Sequence, residues 1–222
     1  MNRQIAIDGP AGAGKSTVAR AVATKLHMNY MDTGAMYRAV AYAMGARGID
    51  PKDRLTVAEA MDGLALCVEY AAGEQRVLAD GRDVTPFLRT QEIAMGASAV
   101  ASVPKVRLRL VELQRVTAAK YDVVMDGRDI GTYVLPQAKA KFYITASSRV
   151  RAERRAKELE AAGAKVDRQQ LEQEIVARDK ADMEREFAPL KCAEDAIYVD
   201  TSDMTAEQVI DFVCRKVEEI YG

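Results

Sequence analysis

Apolar residues in this chain fall into short continuous runs that alternate with longer stretches of helical periodicity. Gln4 to Ile7 is a short apolar strand that ends at Asp8 and enters a glycine-rich turn. From Lys15 to Leu26 the positions Val18, Ala19, Val22, Ala23 and Leu26 recur at helical spacing. Met28 to Met31 reads as a second strand, and Gly34 to Ala46 as a helix with Gly45 and Gly48 as stop signals. Leu64–Tyr70 and Gln75–Ala79 form an expected β-hairpin, turning through Ala72, Gly73 and Glu74. Thr85 and Pro86 suit the N-cap and first turn of a helix through about Ala101, and Pro104 opens a long helix from about Lys105 to Lys120.

Three further apolar runs, Tyr121–Met125, Lys141–Thr145 and Ala196–Val199, read as strands. Arg149–Ala162 and Arg168–Glu186 are charged helices, and Ala206–Tyr221 is an amphipathic closing helix. Strands that alternate with helices imply an α/β fold, a parallel sheet with helices on both faces. The hairpin breaks that alternation and reads as an insertion.

At 222 residues, with 49% hydrophobic and 29% charged residues, the composition is that of a soluble globular protein. The net charge of −1 gives no overall field to attract nucleic acid or a membrane, so anions must be bound by local arginine and lysine clusters. Cys67, Cys192 and Cys214 are scattered and form no CxxC pair, which fits reduced thiols in a cytoplasm and argues against disulfides and structural zinc. The N-terminal sequence is not a signal peptide, and nowhere do about 18 apolar residues run together to span a bilayer. A cytoplasmic protein is expected.

The most specific motif is Gly9-Pro10-Ala11-Gly12-Ala13-Gly14-Lys15-Ser16, followed by Thr17, which matches GxxxxGK[ST] between a strand and a helix. A chance glycine-rich turn would not require that setting. The glycines let successive backbone N–H groups point at phosphate oxygens, and the helix N-terminus adds partial positive charge. Lys15 then reaches the β- and γ-phosphates, and the Ser16 hydroxyl serves Mg2+ that accompanies ATP.

Such a loop is common to kinases, GTPases and motor ATPases, but no NKxD-type guanine-reading element occurs. Asp32-Thr33-Gly34-Ala35-Met36-Tyr37-Arg38 follows the second strand, at the strand end that faces the ligand crevice in such sheets. Arg38 suits a phosphate through its planar fork, while Asp32-Thr33 also reads as a plain helix N-cap. Val123–Met125 leads into Asp126, able to hold Mg2+ through water, then Arg128 and Asp129, which also read as an internal pair in a βα turn. A third, cationic cluster contains Arg149, Arg151, Arg154 and Arg155, then Arg178, Asp179, Asp182 and Arg185, with Arg178, Asp182 and Arg185 on one expected helical face. A solvated face is the plainer reading of Arg149–Arg155. In-line phosphoryl transfer, which needs positive groups around spreading charge, accounts for the whole pattern better. The lone His27 reads as packing.

These motifs, with Arg89-Thr90-Gln91-Glu92, Asp126-Gly-Arg-Asp-Ile-Gly-Thr132, Arg178–Arg185 and Ala188-Pro189-Leu190, resemble the bacterial cytidylate kinases over nearly the whole chain. The resemblance implies a P-loop fold with a five-stranded parallel sheet. It implies a core of 1–31, 104–147 and 187–222, a monophosphate-binding region of 32–103 with a β insertion at about 62–84, and a helical lid at about 148–186. It further implies that Thr33, Arg107 and Asp129 read cytosine, with Asp32 beside them, and that Arg38, Arg128 and Arg185 clamp the acceptor phosphate. Ser98, Arg178 and Asp182 would contact the sugar, and Arg151 and Arg155 would act on the transferring group with Lys15. The expected activity is phosphorylation of CMP and dCMP by ATP in a monomer. The alternatives are a kinase for UMP, AMP or shikimate, and a nucleotide-binding regulator.

Overall fold

Runs of side chains with no exposed surface mark interior strands, since a strand covered on both sides has no polar face to alternate. In the computed structural model, which describes residues 2–71, 73–161 and 163–222, three strands show this. They are β1 (Gln4–Asp8), β6 (Val123–Gly127) and β7 (Ala140–Thr145). β2 (Asn29–Asp32) and β8 (Ile197–Asp200) are less completely covered. Among the described residues the strands form a five-stranded parallel sheet, in the order β2-β6-β1-β7-β8, and a three-stranded sheet, β3-β4-β5.

The chain divides into two compact units, one of Asn2 and residues 28–123, the other of residues 3–27 and 124–222. In the second, β1 pairs with β7 from Ile5↔Ala140 to Asp8↔Tyr143, and β7 with β8 from Phe142↔Ile197 to Thr145↔Asp200. Helix α1 (Lys15–Lys25) packs on α8 (Ala206–Tyr221), whose start is fixed by a reciprocal capping box of Thr205 and Gln208. Helix α6 (Ser148–Ala161) packs on α7 (Arg168–Glu184).

In the first unit α2 (Thr33–Ala46) packs on α4 (Gln91–Val100), beside α3 (Arg54–Ala60) and α5 (Pro104–Lys120). The hairpin is β3 (Leu66–Ala71) against β4 (Glu74–Ala79), extended by β5 (Arg82–Asp83), with Leu66↔Ala79 and Ala71↔Glu74 fixing its register. Its turn residue Ala72, the expected helix end Ala162 and the first residue Met1 lie outside the described residues.

Three expectations are corrected. Thr85 does not cap a helix; its Oγ1 accepts the Val77 N–H at 2.9 Å, and residues 85–87 make a single tight turn. The helix starts at Gln91, where Thr90 accepts the Ile93 N–H at 3.2 Å. α3, capped by Asp53 on Thr56 N–H, was not foreseen. His27 is exposed rather than packed, with φ +52, and turns the chain out of α1.

Candidate active site

The glycine-rich turn between β1 and α1 holds backbone angles that side chains resist. Gly9 has φ +145 and a Cβ there would strike the backbone carbonyl of Ile144; Gly14, with φ +80, is the N-cap of α1. A cap without a side chain leaves the first N–H groups of α1 to a ligand anion. Lys15 folds back over the turn, 5% exposed, and its Nζ donates to Pro10 O at 2.7 Å. Ser16 Oγ donates to Asp126 Oδ2 at 2.7 Å, which joins a hydroxyl on α1 to the carboxylate that ends the apolar part of β6. Among the described residues no three His, Cys, Asp or Glu side chains cluster to hold a metal. Ser16 and Asp126 instead offer two hard oxygens, which fits a Mg2+ that keeps its waters and takes further ligands from phosphate.

Burial pushes the Lys15 ammonium down from 10.5 to about 7, and the charge of Arg128 adds to the effect against the pull of Asp126, Asp8 and Asp182. Asp8 is pushed up to about 6, chiefly by burial, although it accepts Ile130 N–H at 2.8 Å and Gly131 N–H at 2.7 Å. A phosphate chain beside Nζ favours the charged amine, so binding raises its pKa and takes up a proton wherever the unliganded amine is neutral. Calorimetric titration with MgATP in buffers of different ionisation enthalpy should show greater proton uptake at pH 8 than at pH 6. Uptake that is equal at both pH values, or unchanged in Lys15→Met, would show that Lys15 does not meet phosphate.

α7 carries two aspartates that hold arginines. Asp182 Oδ2 accepts from Arg128 Nε at 2.7 Å, and Asp179 Oδ2 lies 2.6 Å from Arg151 Nη1. Arg151 also donates to Ala11 O at 2.8 Å and Ala146 O at 2.9 Å, while Asp179 Oδ1 accepts the Ala11 N–H at 3.2 Å. One residue of the phosphate turn is therefore gripped at both its backbone groups by α6 and α7. α7 ends at Glu184, so Arg185 does not continue the face of Arg178 and Asp182 as expected. It turns in extended backbone, donates from Nε to Ala188 O at 2.6 Å, and places Nη2 at 3.3 Å from Asp129.

In the other unit, Asp32 is the N-cap of α2, accepting Ala35 N–H at 2.8 Å, and it pairs with Arg38 Nη2 at 2.7 Å. The N-cap reading of Asp32 is thus realised through Oδ1, while Oδ2 holds Arg38. Arg38 Nε is buried without a hydrogen-bond partner, a donor suited to an anion. Gly34 keeps this corner clear, since a Cβ there would lie 3.0 Å from Arg38 Nη1. Thr33 is 4% exposed, and Arg107, 2% exposed, stacks its guanidinium over Tyr37 at 5.5 Å.

Lys15, Ser16, Asp126, Arg128, Asp129, Arg151, Asp182 and Arg185 thus gather in one unit, and Asp32, Thr33, Arg38 and Arg107 in the other. Ser98 on α4 and Arg178 on α7 are exposed. Arg155 is exposed too and pairs with Glu158 at 2.8 Å. Arg151 is held by Ala146 O at Nε and by Ala11 O and Asp179 at Nη1. Sequence reasoning gave no role to Asp8, Tyr37, Gln75 or Asp179. Asp8 at the end of β1 and Asp179 in the Arg178–Arg185 cluster had a sequence signal but no assigned partner, whereas Gln75 had none.

A family model described as cytidylate kinase matches residues 5–219. A protein of that name from Caldicellulosiruptor bescii is 46% identical over 217 residues, covering 98% of this chain and 94% of the other. Another, from Desulforamulus reducens, is 49% identical over 215 residues, covering 97% and 96%. In fold the chain is similar to an uncharacterised protein from Eubacterium ventriosum, with a TM-score of 0.56 at 12% identity across 98% of this chain and 99% of that one.

Proposed function

Because the chain belongs to the cytidylate kinase family, we propose specific roles for its residues in moving the γ-phosphoryl group of ATP to CMP and dCMP. The chain is a phosphotransferase whose acceptor is itself a phosphate group. The supporting observation is the setting of Lys15: its ammonium ends the phosphate turn within electrostatic reach of Arg128, Asp126 and Asp182. A positive group so placed can follow charge from the β,γ-bridge to the transferring group.

In this reading the turn from Gly9 to Thr17 binds the ATP phosphates. Lys15 and Arg128, with Arg185, meet the charge of the transferring group. Mg2+ neutralises phosphate charge when bound, held by Ser16 and by Asp126, directly or through water. Arg38 and Arg185 orient the acceptor phosphate, Thr33, Arg107 and Asp129 read the base, and Ser98, Arg178 and Asp182 contact the sugar. An aspartate suits cytosine because its carboxylate accepts from the exocyclic amine, which uracil lacks. The acceptor oxygen is already ionised near neutral pH, so no general base is required.

Among the described residues no helix is long and apolar enough to cross a membrane. The cysteines Cys67, Cys192 and Cys214 are all free, which supports a reducing, cytoplasmic location.

A coupled assay with CMP, dCMP, UMP and AMP tests the reading. Turnover of CMP and dCMP well above UMP and AMP is expected; comparable UMP turnover would overturn the base preference, and none at all would favour a regulator. Asp129→Ala should raise the KM for CMP about tenfold or more, through loss of a charge-assisted bond, while the KM for ATP stays close to wild type. An unchanged CMP value would remove Asp129 from the base-reading set.

A further inference from the structure

In β4 the inward row is Gln75, Val77 and Ala79; Val77 and Ala79 are 1% and 6% exposed, and Gln75 is half-buried in line with them. A carboxamide in an apolar row needs both a donor and an acceptor as partners. Gln75 finds both on one residue. Asp32 N–H donates to Gln75 Oε1 at 2.6 Å, and Gln75 Nε2 donates to Asp32 C=O at 3.2 Å. This is the reciprocal pair of bonds that one strand residue gives another. β2 stands at the end of the strand order, where such backbone groups otherwise lack a ladder partner.

Asp32 is the residue whose side chain caps α2 and holds Arg38, and Thr33 follows it into the interior. We infer that Gln75 is a positioning residue for the acceptor nucleotide: by fixing the Asp32 backbone it sets the placement of Arg38 and Thr33. This rests on the acceptor roles proposed above. The inserted hairpin is then part of the acceptor machinery rather than an appended element, with Gln75 acting through Asp32.

Three variants test this. Gln75→Met keeps the length and loses both bonds. Gln75→Asn keeps the carboxamide but falls one methylene short. Gln75→Glu keeps an acceptor for Asp32 N–H, loses the donor and adds a charge near the Asp32 carboxylate. KM for CMP, KM for ATP, kcat, Tm and amide exchange at Asp32 are measured for each. Gln75→Met and Gln75→Glu should raise the KM for CMP about tenfold, the worth of one to two hydrogen bonds, with Gln75→Asn between them and wild type. The KM for ATP should stay within about twofold, and the Asp32 amide should exchange faster. Were CMP KM to hold within about twofold in Gln75→Met, or both KM values to rise together with a fall in Tm, the inference would be overturned. Unchanged exchange at Asp32 would overturn it as well. A wild-type protein inert towards every monophosphate would remove the acceptor reading and the inference together, whereas wild-type turnover with an unshifted CMP KM in the variants would remove the inference alone.

Discussion

Lys15→Met is expected to lower kcat about a thousandfold, the scale on which a preorganised cation at a transferring phosphoryl group acts. Methionine keeps the stem that fills the space over the phosphate turn, so the loss isolates the ammonium. The stability effect has the opposite sign. Folded Lys15 sits at about 7 against 10.5 for an ordinary lysine, so the cost of burying its charge is fully present below pH 7. That cost is relieved as pH rises from 7 towards 10.5. Lys15→Met should therefore resist urea better than wild type at pH 6, with an advantage that shrinks by pH 9. Near-normal turnover in a folded Lys15→Met would end the phosphate role.

Asp179→Ala is the second large effect, and it acts on the fold first. Removing one member of a buried ion pair leaves its partner charged and unsolvated, at a cost of about 3–5 kcal/mol. Arg151 and Asp179 side chains are only 7% and 10% exposed, so solvent offers little relief. Urea unfolding should show the loss directly. The double variant Arg151→Met with Asp179→Ala should recover much of the stability, because no charge is left stranded. Its KM for ATP should remain raised, since Ala11 has lost the anchors on its N–H and C=O. Full recovery of both would make the pair a packing feature without bearing on the phosphate turn.

Much of this molecule is legible in its sequence, and the parts that are not share a cause. The runs Ile5–Ile7 and Phe142–Ile144 are apolar because interior strands must be, so periodicity alone finds them. The phosphate turn is legible because few residue types tolerate its angles. Thr85 was misread because a threonine before proline has the local chemistry of a cap, yet its hydroxyl meets β4 across the hairpin. Asp179 lies 168 residues from the turn it holds, and Gln75 lies 43 from Asp32, so no local pattern announces what either side chain bonds. Arg185 was placed on a helix because charge spacing does not reveal that α7 stops at Glu184. Side chains that act on distant backbone are invisible until the chain is folded.

Arg128, Arg151 and Arg185 each stand against an aspartate of their own unit, Asp182, Asp179 and Asp129. Were nucleotide phosphate to bind at Arg128 and Arg185, it would have to contend with these carboxylates. A lone chloride or sulfate must evict a tethered carboxylate that returns at once, whereas a polyphosphate offers several oxygens together and outcompetes it. If these arginines bind phosphate as proposed, their positive charge is already partly answered before any nucleotide arrives, so a bound phosphate adds to or replaces an existing carboxylate contact.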